Sequence, residues 1–243
     1  MIQLAKKTNR VKKNQSPDEL ELLDLWNRLE SKGLFQNLTA SLSFLLPGEG
    51  KMILMVKGEG KKKQPLVGIY HLENPNTMLS GDDSLPNLPS LIRFHVDLYK
   101  IRPDVGAIVR FIPPWSSHLH EIDHPLPLVF DEQCRQLGAP VLQLPIDLNG
   151  NLLPSPTLTS GANGFLLGDE VIITSVTREK AIYNCELIEK CAKAYLLAIA
   201  TGGKVKQIPW FVRFIAKSRL LKDEKKAMDF YKRGERPTGF KAY

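Results

Sequence analysis

At 243 residues, with 43% hydrophobic and 24% charged side chains, the chain is long enough for one large core and too apolar for disorder to dominate. No apolar run approaches the ~20 residues needed to cross a bilayer, and no leading apolar run carries a signal-type cleavage pattern, so a soluble, cytoplasmic protein is expected. The net charge of +7 is uneven: residues 1–13 hold five basic groups and no acid, residues 203–243 hold twelve basic and four acidic, and the body between them is left with −6.

Basic ends on an acidic body attract anionic surfaces or acidic partners. No nucleic-acid module or aromatic platform accompanies them, which argues against nucleic acid as the main partner. Cys134, Cys185 and Cys191 cannot all pair within one chain and form no CxxC pattern, so they read as buried thiols rather than metal ligands.

The first predicted element follows a basic arm over residues 1–15, which includes Lys6, Lys7, Arg10, Lys12 and Lys13. Ser16-Pro17-Asp18-Glu19 supplies a cap, a proline for the first helical position and a capping-box glutamate. Leu22, Leu25, Trp26 and Leu29 then recur at helical spacing up to Gly33. From Leu38 the period becomes two, with Ala40, Leu42 and Phe44 alternating with Thr39, Ser41 and Ser43, which predicts a strand with one buried face. Pro47-Gly48-Glu49-Gly50 turns it into a hairpin partner at Met52 to Val56. A lysine-rich loop, Lys61 to Lys63, leads to a strand over Leu66 to Tyr70, and residues 74–90 read as an irregular loop.

A helix over Ile92 to Lys100 is followed by Arg102-Pro103-Asp104 and an apolar strand from Val105 to Ile112, stopped by Pro113-Pro114. Shorter strands are expected at Leu126 to Phe130 and Pro140 to Leu144, and a long loop at 145–162. Val171 to Ser175 reads as a strand, and the following helix carries Ala181, Cys185, Ile188, Ala192, Tyr195 and Ile199 on one apolar face up to Gly202-Gly203. The segments divide into a domain over 16–203 and a basic amphipathic extension over 204–243, expected to dock on it through Trp210, Phe211, Phe214 and Ile215. Strands interleaved with helices predict an α/β sheet covered on both sides.

Three stretches resemble the class II aldolase and adducin amino-terminal domain family. His95 through Val109, HVDLYKIRPDVGAIV, matches its helix, arginine-proline turn and strand; Ala40-Ser41-Leu42-Ser43 resembles a worn form of its phosphate loop; Phe165 through Ala181 resembles its closing strand and helix. The resemblance covers roughly residues 16–200. It implies a three-layer α/β/α domain with a mainly antiparallel sheet, and a homo-oligomer of the tetrameric kind frequent in the family.

The resemblance also implies where chemistry would sit. Active members hold a divalent metal, usually zinc, on three histidines, and use a glutamate as acid or base. Carried over position by position, the histidines fall at Arg110, Ile112 and Asp169, with Glu170 at the glycine after the last, and the glutamate falls at Leu91. Arginine repels a cation and isoleucine has no lone pair. No metal is therefore expected, and Arg110 is a candidate to pair with Asp169 or Glu170 in its place. His118 and His120 form a later HxH pair, the one remaining route to zinc, with His124 further along. Pro113-Pro114 interrupts the strand that would align them, and the Arg-Pro-Asp anchor places them too late.

Thr39, Ser41 and Ser43 are candidate anion-binding hydroxyls, although Ala40 and Ser41 replace the family's glycine and asparagine. The sequence has no Walker or dinucleotide-binding fingerprint. These features predict a non-catalytic, adducin-like scaffold or partner-binding protein. The alternative is a divergent sugar-phosphate lyase, epimerase or dehydratase with an altered pocket, so whether the chain is an enzyme stays open at this point.

Overall fold

The computed structural model describes residues 16–240 apart from 36–38, 59–63, 83–84, 86–87, 123–124, 149, 154 and 160, and apart from the side chain of Thr157. The basic arm, Leu38, the 61–63 lysines and His124 thus lie outside the described residues.

Among the described residues eight strands form one sheet: β1 (Ser41–Leu46), β2 (Lys51–Val56), β3 (Leu66–His71), β4 (Met78–Gly81), β5 (Ala107–Phe111), β6 (Leu142–Gln143), β7 (Gly164–Leu167) and β8 (Glu170–Ser175). Their order is β4-β3-β2-β1-β5-β8-β7-β6, antiparallel throughout except for the β6/β7 pair. The α-helices among the described residues are α1 (Pro17–Ser31), α2 (Pro89–Ile101), α3 (Asp131–Gln136), α4 (Pro156–Thr159), α5 (Arg178–Ala200) and α6 (Trp210–Lys232).

Local chemistry accounts for the best-defined elements. The Ser16 hydroxyl accepts from the Glu19 amide and the Glu19 carboxylate accepts from the Ser16 amide, a reciprocal cap whose loss costs about 1 kcal/mol. The β1/β2 hairpin pairs Ser41 with Val56 through Leu46 with Lys51, turning through Gly48 and Gly50 at positive φ. Thr177 caps α5 through the Lys180 amide.

Period-two alternation divides the central strands between two cores. Leu42, Phe44, Ala107, Val109, Phe111, Val171 and Ile173 face α1 and α5. Ile108 and Ile172 face the other way, with Met52 and Leu54, against Phe94, Val96, Leu98 and Tyr99 of α2. Helices on both faces make three layers, as expected. One expectation fails for the same reason: β1 has no solvent face, and Ser41 and Ser43 are as buried as Leu42. A hydroxyl reads as exposed in a sequence pattern, but it can be buried wherever the opposite layer supplies a partner.

Other departures follow from strand length and tertiary pairing. Leu126 to Phe130 forms only an isolated bridge, Leu126 to Val141, and the 140–144 segment keeps two residues of strand. β4 forms inside the expected 74–90 loop because β3 offers its edge. β7 forms beside β8 through a tight turn at Gly168, φ 62°.

The expected docking residues of α6 are also wrong. Trp210, Phe211, Phe214 and Ile215 are exposed, Trp210 at 72%. The helix instead buries Ala216, Leu220, Glu224 and Ala227, spaced along the opposite face. The Tyr231 hydroxyl donates to the Val176 carbonyl at 2.7 Å. This approach requires Gly106, because a Cβ there would lie 1.7 Å from that hydroxyl oxygen.

Candidate functional site

Two arginines stand at opposite ends of β5. Arg102, in the loop before the strand, is 2% exposed. Its guanidinium makes a two-pronged contact with Asp104, Nε to Oδ1 at 2.8 Å and a terminal nitrogen to Oδ2 at 2.7 Å. It also donates to the Ala162 and Leu158 carbonyls, Asn163 Oδ1 and Glu224 Oε1, the last at 3.2 Å. Glu224 comes from α6, so the Arg-Pro-Asp turn ties the C-terminal helix to the sheet. Burial pushes the Glu224 carboxyl up to about 7, with Arg102 opposing the shift.

Arg110 is next to last in β5, on the face covered by α2. It lies opposite Ser41 on one side and Ile172 on the other, which makes Glu170 its diagonal neighbour on β8. Its Nε donates to Glu170 Oε2 at 2.8 Å and a terminal nitrogen donates to the same oxygen. The guanidinium also lies 5.0 Å from the Phe94 ring centroid on α2. The two side chains are 21% and 10% exposed.

Beneath this pair is a polar chain that the sequence pattern did not reveal. His95, fully buried on α2, has Nε2 at 2.9 Å from the Ser41 hydroxyl and Nδ1 at 2.8 Å from the Ser43 hydroxyl. Ser43 Oγ is in turn 2.9 Å from the Tyr99 hydroxyl. A neutral imidazole fits, with one ring nitrogen donating and the other accepting. Burial, reinforced by the charge on Arg110, pushes His95 down to about 3. Its one legible signal was the i, i+4 spacing that puts His95 and Tyr99 on one side of α2.

The remaining candidates are scattered. Asp169 is exposed in the β7/β8 turn, so Arg110 pairs with Glu170 and not with Asp169. Ile112 is half-buried just beyond β5, and Leu91 packs on the α2 side of the core. Thr39 is exposed and precedes β1, while the Ser41 and Ser43 hydroxyls are engaged by His95, so the three do not form one anion cradle. His118 and His120 lie in a 3-10 turn, Ser116–His120. His118 pairs with Glu121 at 3.0 Å, and His120 Nδ1 meets the Ser117 carbonyl. Residues two apart share a face in a strand but not in a 3-10 turn.

This donor set does not fit zinc. Arg110 and Ile112 offer no lone pair, and Glu170 is committed to Arg110. Among the described residues, no three His, Cys, Asp or Glu side chains are grouped to hold a metal ion.

The architecture is that of the class II aldolases. An L-fuculose 1-phosphate aldolase matches with a TM-score of 0.69 at 20% identity, over 85% of this chain and 98% of that one. The L-fuculose 1-phosphate aldolase from Glaciozyma antarctica PI12 gives 0.62 at 15% identity, covering 88% and 87%. An aldolase II superfamily protein from Pseudomonas syringae gives 0.62 at 12%, covering 92% and 97%. At these identities the likeness establishes the fold. No family model and no curated protein sequence matches the chain. No helix among the described residues is long and apolar enough to cross a membrane.

Proposed function

We propose that this chain uses the aldolase frame as a non-catalytic, adducin-like scaffold, with the metal-dependent carbon-carbon bond chemistry removed. The observation that carries the reading is the Arg110–Glu170 ion pair. The resemblance puts a metal ligand at Arg110, and the guanidinium there now supplies a fixed positive charge that Glu170 balances. The side chain stacked below it, Phe94, and the His95 network close the site from the α2 side.

The scaffold's contact surface is the outer face of α6, where Trp210, Phe211, Phe214 and Ile215 are all more than half exposed. Its partner is a second copy of the chain. The basic C-terminal segment, at +8, complements the acidic body, at −6, in a head-to-tail contact that can close into a ring.

The alternative enzyme reading has one supporting feature, a cleft of about 210 Å³ beside Phe94 lined by Ser90, Arg93, Asp97 and Asn151. Incubating the purified protein with L-fuculose 1-phosphate and zinc separates the two readings, with aldehyde release measured against a protein-free blank. No release above the blank is expected. Release that disappears in Arg93→Ala would establish an altered catalytic pocket instead.

A further inference from the structure

A second charged cavity lies at the other end of the sheet, where α3, the first turn of α5 and the middle of α6 meet. It encloses about 270 Å³, below the usual range for drug-sized ligands, and suits a small molecule. Three cationic side chains line it, one from each helix: Arg135 from α3, Lys180 from α5 and Arg219 from α6.

Lys180 is the unusual member. The residue is 6% exposed, and long ammonium side chains are rarely buried without a partner. Among the described residues its nearest counter-charge, Asp223 Oδ2, is 4.0 Å from Nζ, beyond hydrogen-bonding reach, and the Asp223 side chain is itself 51% exposed. Burial lowers the Lys180 pKa against the opposing pull of Asp223 and, more weakly, Glu224, and the charge of Arg135 adds to the lowering, so those two cations feel each other. The Lys180 amide is already capped by Thr177. The positive character of the cavity therefore comes from the side chains and not from the helix end. The other carboxylate nearby, Glu224, is turned to Arg102.

Three cations against one partly exposed carboxylate leave an excess positive charge in a pocket with a buried ammonium donor. We infer that this cavity is a binding site for a phosphate group, taken either as free phosphate or as the phosphomonoester of a small molecule. A phosphate carries about −1.5 to −2 charge at neutral pH and three strong acceptor oxygens, which matches both the charge and the missing acceptor. Phe240 at the wall gives an organic substituent an apolar surface to lie against.

The test is calorimetric titration of the full chain at constant ionic strength with inorganic phosphate and, separately, with glycerol 1-phosphate. Saturable binding at one site is expected, weakened at least about tenfold in the Arg135→Ala/Arg219→Ala double variant. Both arginines are exposed, so the fold should persist, as circular dichroism can verify. Asp223→Asn should tighten binding by removing the opposing charge. Tighter binding of glycerol 1-phosphate than of phosphate would identify an organic ligand, and equal affinities would identify free phosphate; either supports the site. Absence of binding with both probes, or equal binding by the native chain and the double variant, would overturn the inference.

Discussion

Arg102, in the loop before β5, and Arg110, next to last in that strand, solve the problem of an enclosed guanidinium differently. Arg102 is fully enclosed and meets two carboxylates, two backbone carbonyls and an amide oxygen. Arg110 has one carboxylate oxygen, an aromatic ring and partial contact with solvent. The first is a structural clamp, because its partners come from the strand's own loop, from the 158–163 segment and from α6. The second is a local pair whose loss concerns the end of β5, its neighbour β8 and the facing turn of α2. The Arg-Pro-Asp turn therefore belongs to the framework of the fold, while the pair at the strand's far end is peripheral to it.

The sharpest way to break the comparison is to remove each guanidinium. Arg102→Met should destabilise the protein by about 3–5 kcal/mol in urea denaturation, since it strands two buried carboxylates and several carbonyls. Arg110→Met should cost less, about 2 kcal/mol, and the double variant Arg110→Met/Glu170→Met should recover to within about 1 kcal/mol of the native protein. Equal losses for the two single variants would erase the distinction between clamp and local pair.

The two ends also respond oppositely to pH. His95 is held neutral near Arg110, with its folded value lowered to about 3 from 6.5. Its contribution is complete above pH 6.5 and is lost as pH falls towards 3, at about 1.4 kcal/mol per unit. Glu224 beside Arg102 is raised to about 7 from 4.5, so its contribution is present below pH 4.5 and is lost as pH rises through 7. Between pH 6.5 and 5 the two slopes oppose each other. Glu224→Gln should uncover the His95 loss, making the variant about 2 kcal/mol less stable at pH 5 than at pH 6.5, whereas the native protein changes less. A flat profile in Glu224→Gln would mean that His95 can accept a proton in the fold.

Much of the fold was legible in the sequence. The capping box at Ser16, the β1/β2 hairpin and the apolar face of α5 rest on local chemistry, and local chemistry is written in adjacent residues. β4, β7 and the true docking face of α6 were not legible, because each depends on what a distant element offers. The α6 pattern does contain a clue: Glu224 falls in line with Ala216, Leu220 and Ala227, and a lone carboxylate on a buried stripe implies a buried cation waiting for it. At the candidate site, the sequence identified Arg110 and a carboxylate partner, but it could not choose between Asp169 and Glu170. That choice depends on where the β7/β8 turn falls: Gly168 and Asp169 occupy the turn, which sends Asp169 to solvent and returns Glu170 to the sheet. The Ser41–His95–Ser43–Tyr99 chain was hidden because hydroxyls alternating with apolar residues look the same whether the second face meets water or a helix.

The central claim is that charge balance at the end of β5 is internal, with the Arg110 guanidinium in place of a bound cation and Glu170 as its counter-ion. It is tested most directly by metal analysis of the full chain after purification with zinc and dialysis. The account predicts that zinc remains far below one ion per chain. One zinc per chain, lost on Glu170→Ala substitution, would contradict it.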